Sequence, residues 1–216
     1  MTVLSLVYRP VVFYRARLTR PPSWWSAIGG PLGCAVLAGV CHALFTARLV
    51  RPVYAALASA GGSAAFATSL EYMGVLSVAS APVLVWLLSS AFMIAVDVLC
   101  RDGDRLHRIV ETNALAFYSQ MPWLLTVLVL AAVYEPGPSW SLQGDAVTLA
   151  DIERLSRLMR EDPVITTIRV LNECSAAWLY CLFGAGYHVV ANLSLVRSLL
   201  LTIGMYSSFH LIRYAL

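Results

Sequence analysis

The stretch Glu111–Tyr134, ETNALAFYSQMPWLLTVLVLAAVY, decides the fold. It begins polar, turns apolar, and carries Pro122 about halfway along. The EPGPS segment that starts at Glu135 stops any helix. A run of this length and apolarity reads as a helix that crosses a bilayer, which takes about 20 residues. The proline inside it removes one backbone donor and frees the carbonyl of Tyr118, which in lipid must find another partner.

Composition extends this reading to the whole chain. The 216 residues are 59% hydrophobic and 12% charged, with a mean hydropathy of +0.73. Soluble domains carry about a quarter charged residues. The expected fold is therefore all-α, an integral membrane bundle of about five transmembrane helices. The net charge of +3 is too small, and the arginines too dispersed, for a nucleic-acid partner. All fifteen basic residues are arginine, which we read as genomic bias towards GC. The five cysteines (34, 41, 100, 174 and 181) contain no CxxC, so no zinc or redox motif is expected.

Outward from the central stretch, residues 1–25 form an amphipathic arm. Pro10 interrupts it, and it is too short and too basic to span. Arg9, Arg15 and Arg17 are placed at the headgroups, and Trp24 and Trp25 in an aromatic belt. The order of apolar start and later arginines is the reverse of a signal peptide, so the chain is expected to stay whole. The membrane domain, 26–214, holds spans at about 26–46, 75–96, 113–134, 168–190 and 195–214. The 135–167 loop lies outside the membrane. Within it, residues 148–160 show helical periodicity, with Thr148 and Asp151 at capping-box spacing. This helix is expected to rest on the bilayer or on a partner.

Several positions stand out. Ala35, Gly39 and Ala43 form a small-residue stripe that admits a neighbouring helix. Pro82 and Pro122 are candidate hinges. Glu173 and Arg213 are intramembrane polar groups, and the tight 191–194 turn makes their helices a hairpin, so they are expected to pair or approach. Five spans put the termini on opposite sides. Arginines favour an inside N-terminus by only eight to seven, but four of them precede the first span, which usually dominates. The expected location is the inner (plasma) membrane, with the N-terminus cytoplasmic and the C-terminus outside.

Catalytic and metal chemistry find little support. No GxSxG or HExxH motif is present, so no enzyme is expected. Cys174, Cys181 and His188 recur every seven residues, as do Cys34 and Cys41. Seven residues rise about 10.5 Å along a helix, far more than a metal–ligand bond of about 2.0–2.3 Å. No metal is expected, and the cysteines read as packing groups. The sharper alternative is haem or a chlorophyll-type pigment on single histidines: His42, His188 or His210. Ala38 and Gly184 sit one turn before the first two and leave room for a flat ring.

Taken together, the order of features resembles the Yip1 family of multi-span membrane proteins, in its bacterial type. The resemblance rests on the arm YRPVVFYRARL, the span end VLVWLLSSAFMIAV before CRDGDR, the Tyr–Pro stretch FYSQMPWLL, and the final hairpin WLYCLFGAGYHVVANLSLVRSLLLTIGMY. It implies five spans, a cytosolic N-terminus, and a non-enzymatic scaffold or interaction protein. Its partners would be the lipid bilayer and other integral membrane proteins, with no nucleic acid. Two rivals are an accessory subunit of a respiratory or photosynthetic membrane complex and a small transporter or channel subunit.

Overall fold

A computed structural model describes residues 3–21, 23–50, 64–100, 106–135 and 148–215. Every element among them is helical, and no strand occurs among the described residues. The arm is two short helices, α1 (Val3–Tyr8) and α2 (Pro10–Leu18), jointed at Arg9, whose φ and ψ are −142° and 60°. Pro10 opens α2, where its missing N–H costs least. Then follow α3 (Trp24–Phe45), α4 (Ala64–Cys100), α5 (Leu106–Ala116) and α6 (Met121–Val133). A π-helical turn, Thr46–Val50, extends α3, and a 3₁₀ turn, Phe117–Gln120, joins α5 to α6. The remainder is α7 (Leu149–Glu161), α8 (Pro163–Val190) and α9 (Leu195–Ala215).

Three helical stretches are long and apolar enough to cross a membrane: Ile28–Arg48, Glu71–Val98 and His107–Val133. Five were expected. The segments 168–190 and 195–214 are indeed helical, as parts of α8 and α9, but neither reaches that apolarity among the described residues. Arg169, Asn172, Glu173 and His188 dilute the first. Arg197 enters the second near its start, and its side chains from Phe209 onward lie outside the described residues. Two helices run beyond the expected spans. α4, which holds the Glu71–Val98 stretch, starts at Ala64, because the AAFATSLEYM run consists largely of residues that a helix accepts. α8 starts at Pro163, because Asp162 caps it: its Oδ1 accepts from the N–H of Val164 (2.9 Å) and Ile165 (3.0 Å).

The chain divides into two compact units: residues 1–34, 81–123 and 174–216, and residues 35–80 and 124–173. In the first unit, α3 lies closely on α5 and the 3₁₀ turn. A Cβ on Gly30 would stand 2.5 Å from the carbonyl oxygen of Ala114, and one on Gly33 would stand 2.2 Å from Met121 Cε. The contacts advance together along both segments, so the two run parallel. Spans one and three of a multi-pass chain must do the same. Ala114 and Leu115 form a buried centre under Phe13, Trp86 and Tyr118. An aromatic chain continues it, with Phe117 and Tyr180 against Phe183 (centroids 6.1 and 5.5 Å), and Tyr206 against Tyr180 (5.2 Å). Gly184 brings α8 against α9, since its Cβ would be 2.9 Å from Thr202 Oγ1.

In the second unit, Gly39 lies close to α4, where an added Cβ would stand 3.0 Å from Ala79 Cβ. Ala35 and Ala43 are half-buried. Cys41 donates to the carbonyl of Leu124 (3.6 Å), and the Arg48 guanidinium donates to the carbonyl of Tyr134 (2.5 Å). The Tyr134 hydroxyl donates to Asp162 Oδ2 at 2.7 Å. α7 has the expected capping box: Thr148 Oγ1 accepts from the N–H of Asp151 (3.2 Å), and Asp151 Oδ2 accepts from the N–H of Thr148 (3.1 Å).

Candidate functional site

The most concentrated polar chemistry among the described residues lies where the central stretch begins. Glu111 is 2% exposed. Its Oε1 accepts from Arg17 Nε (3.0 Å), Arg17 Nη2 (2.5 Å) and the backbone N–H of Ser23 (3.0 Å). Its Oε2 accepts from Arg108 Nη1 (3.1 Å), and Arg108 Nη2 donates to the carbonyl of Arg20 (2.7 Å). One buried carboxylate thus clasps the arm, the link to α3 and the first turn of α5. Burying a charge is costly unless it is paired and hydrogen-bonded, and here both oxygens are engaged by two guanidinium groups.

The clasp makes α2 two-sided. Tyr14 (1% exposed) and Arg17 face the bundle, while Val12 and Arg15 are on the outer face. Leu6 of α1 is equally buried. Tyr14 packs on Gly186, where an added Cβ would lie 3.5 Å from its ring and 2.2 Å from Thr112 Cγ2. Two residues on from Glu111, Asn113 is fully buried, and its Nδ2 donates to Ser90 Oγ (3.2 Å). Trp86 Nε1 donates to the carbonyl of Val110 (3.1 Å), a second tie between α4 and α5.

At Pro122 the helix breaks, and the break is supported from outside. Cys34 Sγ donates to the carbonyl of Phe117 (3.3 Å), and Ser119 Oγ to that of Ala116 (2.7 Å). Gln120 bonds α8 on both sides of its amide: Nε2 donates to the carbonyl of Ser175 (3.1 Å), and Oε1 accepts from Ser175 Oγ. Pro82 has no such break around it, and α4 stays helical from Ala64 to Cys100. The two prolines were both candidate hinges; only the one at 122 sits beside a change of helix type.

The other singled-out residues fall as follows. Arg9, Arg15 and Trp25 are exposed, whereas Arg17 turns inward to Glu111. The side chains of Trp24, His210 and Arg213 lie outside the described residues, so the Glu173–Arg213 pair does as well. His42 is half-buried, with its Nε2 3.1 Å from where a Cβ on Gly74 would stand, so it fills the space that this glycine leaves. His188 Nδ1 lies 2.7 Å from the carbonyl of Leu193 and ties the 191–194 turn, in which Asn192 takes a left-handed φ of 49°. Among the described residues no three His, Cys, Asp or Glu side chains gather as a metal would need.

Sequence reasoning missed the clasp. A signal was available: no acidic residue occurs before Glu71, so any ion pair made by an arm arginine had to reach a carboxylate far along the chain. No family model, curated protein or solved structure matches the chain.

Proposed function

We propose that this chain is a non-enzymatic integral membrane protein of the Yip1 type, which works by associating laterally with other membrane proteins. The observation that carries the reading is the outer face of α4. Leu84, Leu87, Leu88, Phe92 and Val98 are each 42–56% exposed, and only 17% of the apolar stretch of α4 is buried. Such a face is stable only against lipid or against another apolar surface. Ala81, Ala91 and Ala95 are exposed along it. Small residues let a second helix approach closely, which lipid does not require. The small stripe of α3 is a poorer partner face, because Gly39 already holds Ala79.

The reading includes five spans, the inner (plasma) membrane, and a cytoplasmic N-terminus with the C-terminus outside. Parallel α3 and α5 support the order of the first three spans, and the arginine-rich arm before Ile28 supports the orientation. The reading includes no bound pigment. Photo-crosslinkers at Leu84, Leu88 and Ala91 in native membranes test it. One membrane protein captured at all three positions is the expected result. Lipid adducts alone, together with ion flux through the purified protein in liposomes, would replace the reading with a transporter.

A further inference from the structure

We infer that the outer face of the docked arm is a binding surface for anionic phospholipid headgroups. The inference rests on the membrane reading above and adds the lipid class and the residues that select it. The arm leads into the stretch that starts at Ile28, and it is clasped to Glu111, one turn inside the stretch that starts at His107. Both stretches start at one membrane boundary, so the arm lies at that boundary and cannot be remote from headgroups.

Its two faces differ in chemistry. The inner face spends Tyr14, Leu6 and Arg17 on the protein. The outer face keeps Arg9, Arg15 and Arg20 exposed, with no ion pair among the described residues. Tyr8 (78% exposed) and Trp25 (91%) flank them. No acid occurs in the first 70 residues. The acids nearest in this unit are Glu111, consumed by the clasp, and Asp97, which is 5% exposed. Residues 101–105, outside the described residues, contribute two Arg and two Asp and so no net charge. Among the described residues of this unit the boundary face is therefore positive, with no exposed acid to neutralise it. Three guanidinium groups beside exposed aromatic rings match phosphate-bearing headgroups, the arginines by charge and fork geometry, the rings by interfacial depth. The clasp matters because it turns Arg17 inward and so fixes which arginines look out.

Each arginine near an anionic leaflet is worth about a fivefold preference. Removing two lowers it about 25-fold. The full-length protein, reconstituted in nanodiscs of phosphatidylcholine with one quarter phosphatidylglycerol, is released and read by native mass spectrometry for the headgroups retained. Wild type is expected to retain phosphatidylglycerol over phosphatidylcholine, and R9Q/R15Q to lose most of that preference. Because both positions are exposed, the variant folds; R160Q on α7 serves as a control and keeps the preference. Equal retention of the two lipids by wild type, or an unchanged preference in R9Q/R15Q, overturns the inference. Failure to insert into the nanodiscs would instead remove the membrane reading beneath it.

Discussion

Replacing Glu111 with Ala should loosen the arm from the rest of its unit. The carboxylate accepts four hydrogen bonds, three on Oε1 and one on Oε2. Its side chain is 3% exposed, against 19% for Arg17 and 16% for Arg108. Removing one partner of a buried ion pair costs about 3–5 kcal/mol, because the remaining charge is left unpaired. Both arginines are near enough to water to rehydrate, so the lower end, about 3 kcal/mol, applies here. Glu111→Gln keeps the shape and two acceptor lone pairs and should cost less. Denaturant unfolding in micelles measures the first quantity, and amide exchange of residues 5–18 measures whether the arm has come free. The pair also predicts non-additivity: Arg17→Met should partly rescue Glu111→Leu, since the double variant leaves one fewer buried charge. An Ala variant within about 0.5 kcal/mol of wild type, the range of ordinary surface changes, with unchanged exchange in the arm, would refute the reasoning.

Three further outcomes follow from the packing. Gly30→Ala sets a Cβ 2.5 Å from a backbone carbonyl that cannot move aside; it should cost about 1–3 kcal/mol, checked by the same unfolding assay, while Gly204→Ala, with nothing within 4 Å, should be neutral or slightly stabilising. Pro122→Ala should let the 3₁₀ turn at 117–120 relax into a continuous helix; exchange protection of the 122 amide would show it, and a persistent break would assign the turn to Cys34 and Gln120 instead. In α7, hydrogen bonds from Thr148 hold the Asp151 carboxyl below its ordinary value. A depressed carboxylate adds stability above its unfolded pKa and loses it as pH falls through the folded one. Amide protection at the start of α7 should therefore hold at neutral pH and fall below about pH 4, and Thr148→Ala should remove that dependence.

Local chemistry made the α-class, the central span and α7 legible. The Glu111–Tyr134 stretch announces itself by length and apolarity, and the Thr148–Asp151 spacing by capping rules that span only one turn. Pairings across helices were not legible in the same way. Arg17 and Glu111 stand 94 residues apart, and periodicity says nothing of which face of one helix meets another. The small-residue stripe shows the same limit. A spacing of four picked Ala35, Gly39 and Ala43, of which Gly39 has a close approach, but the tightest approaches of α3 are at Gly30 and Gly33. Cys34 and Cys41 were read as packing groups, and their thiols cover carbonyls of Phe117 and Leu124, again seven residues apart. Of the last two expected spans, 168–190 was assigned on its apolar middle, and Arg169, Asn172, Glu173 and His188 lower its apolarity, whereas 195–214 runs into side chains outside the described residues.

The central claim is that the chain acts as a membrane interaction protein. Gentle solubilisation followed by native mass spectrometry tests it most directly. The account predicts this chain bound to at least one other integral membrane protein at a fixed ratio that survives dilution. A chain that always runs alone, with no partner at any detergent concentration, would contradict it.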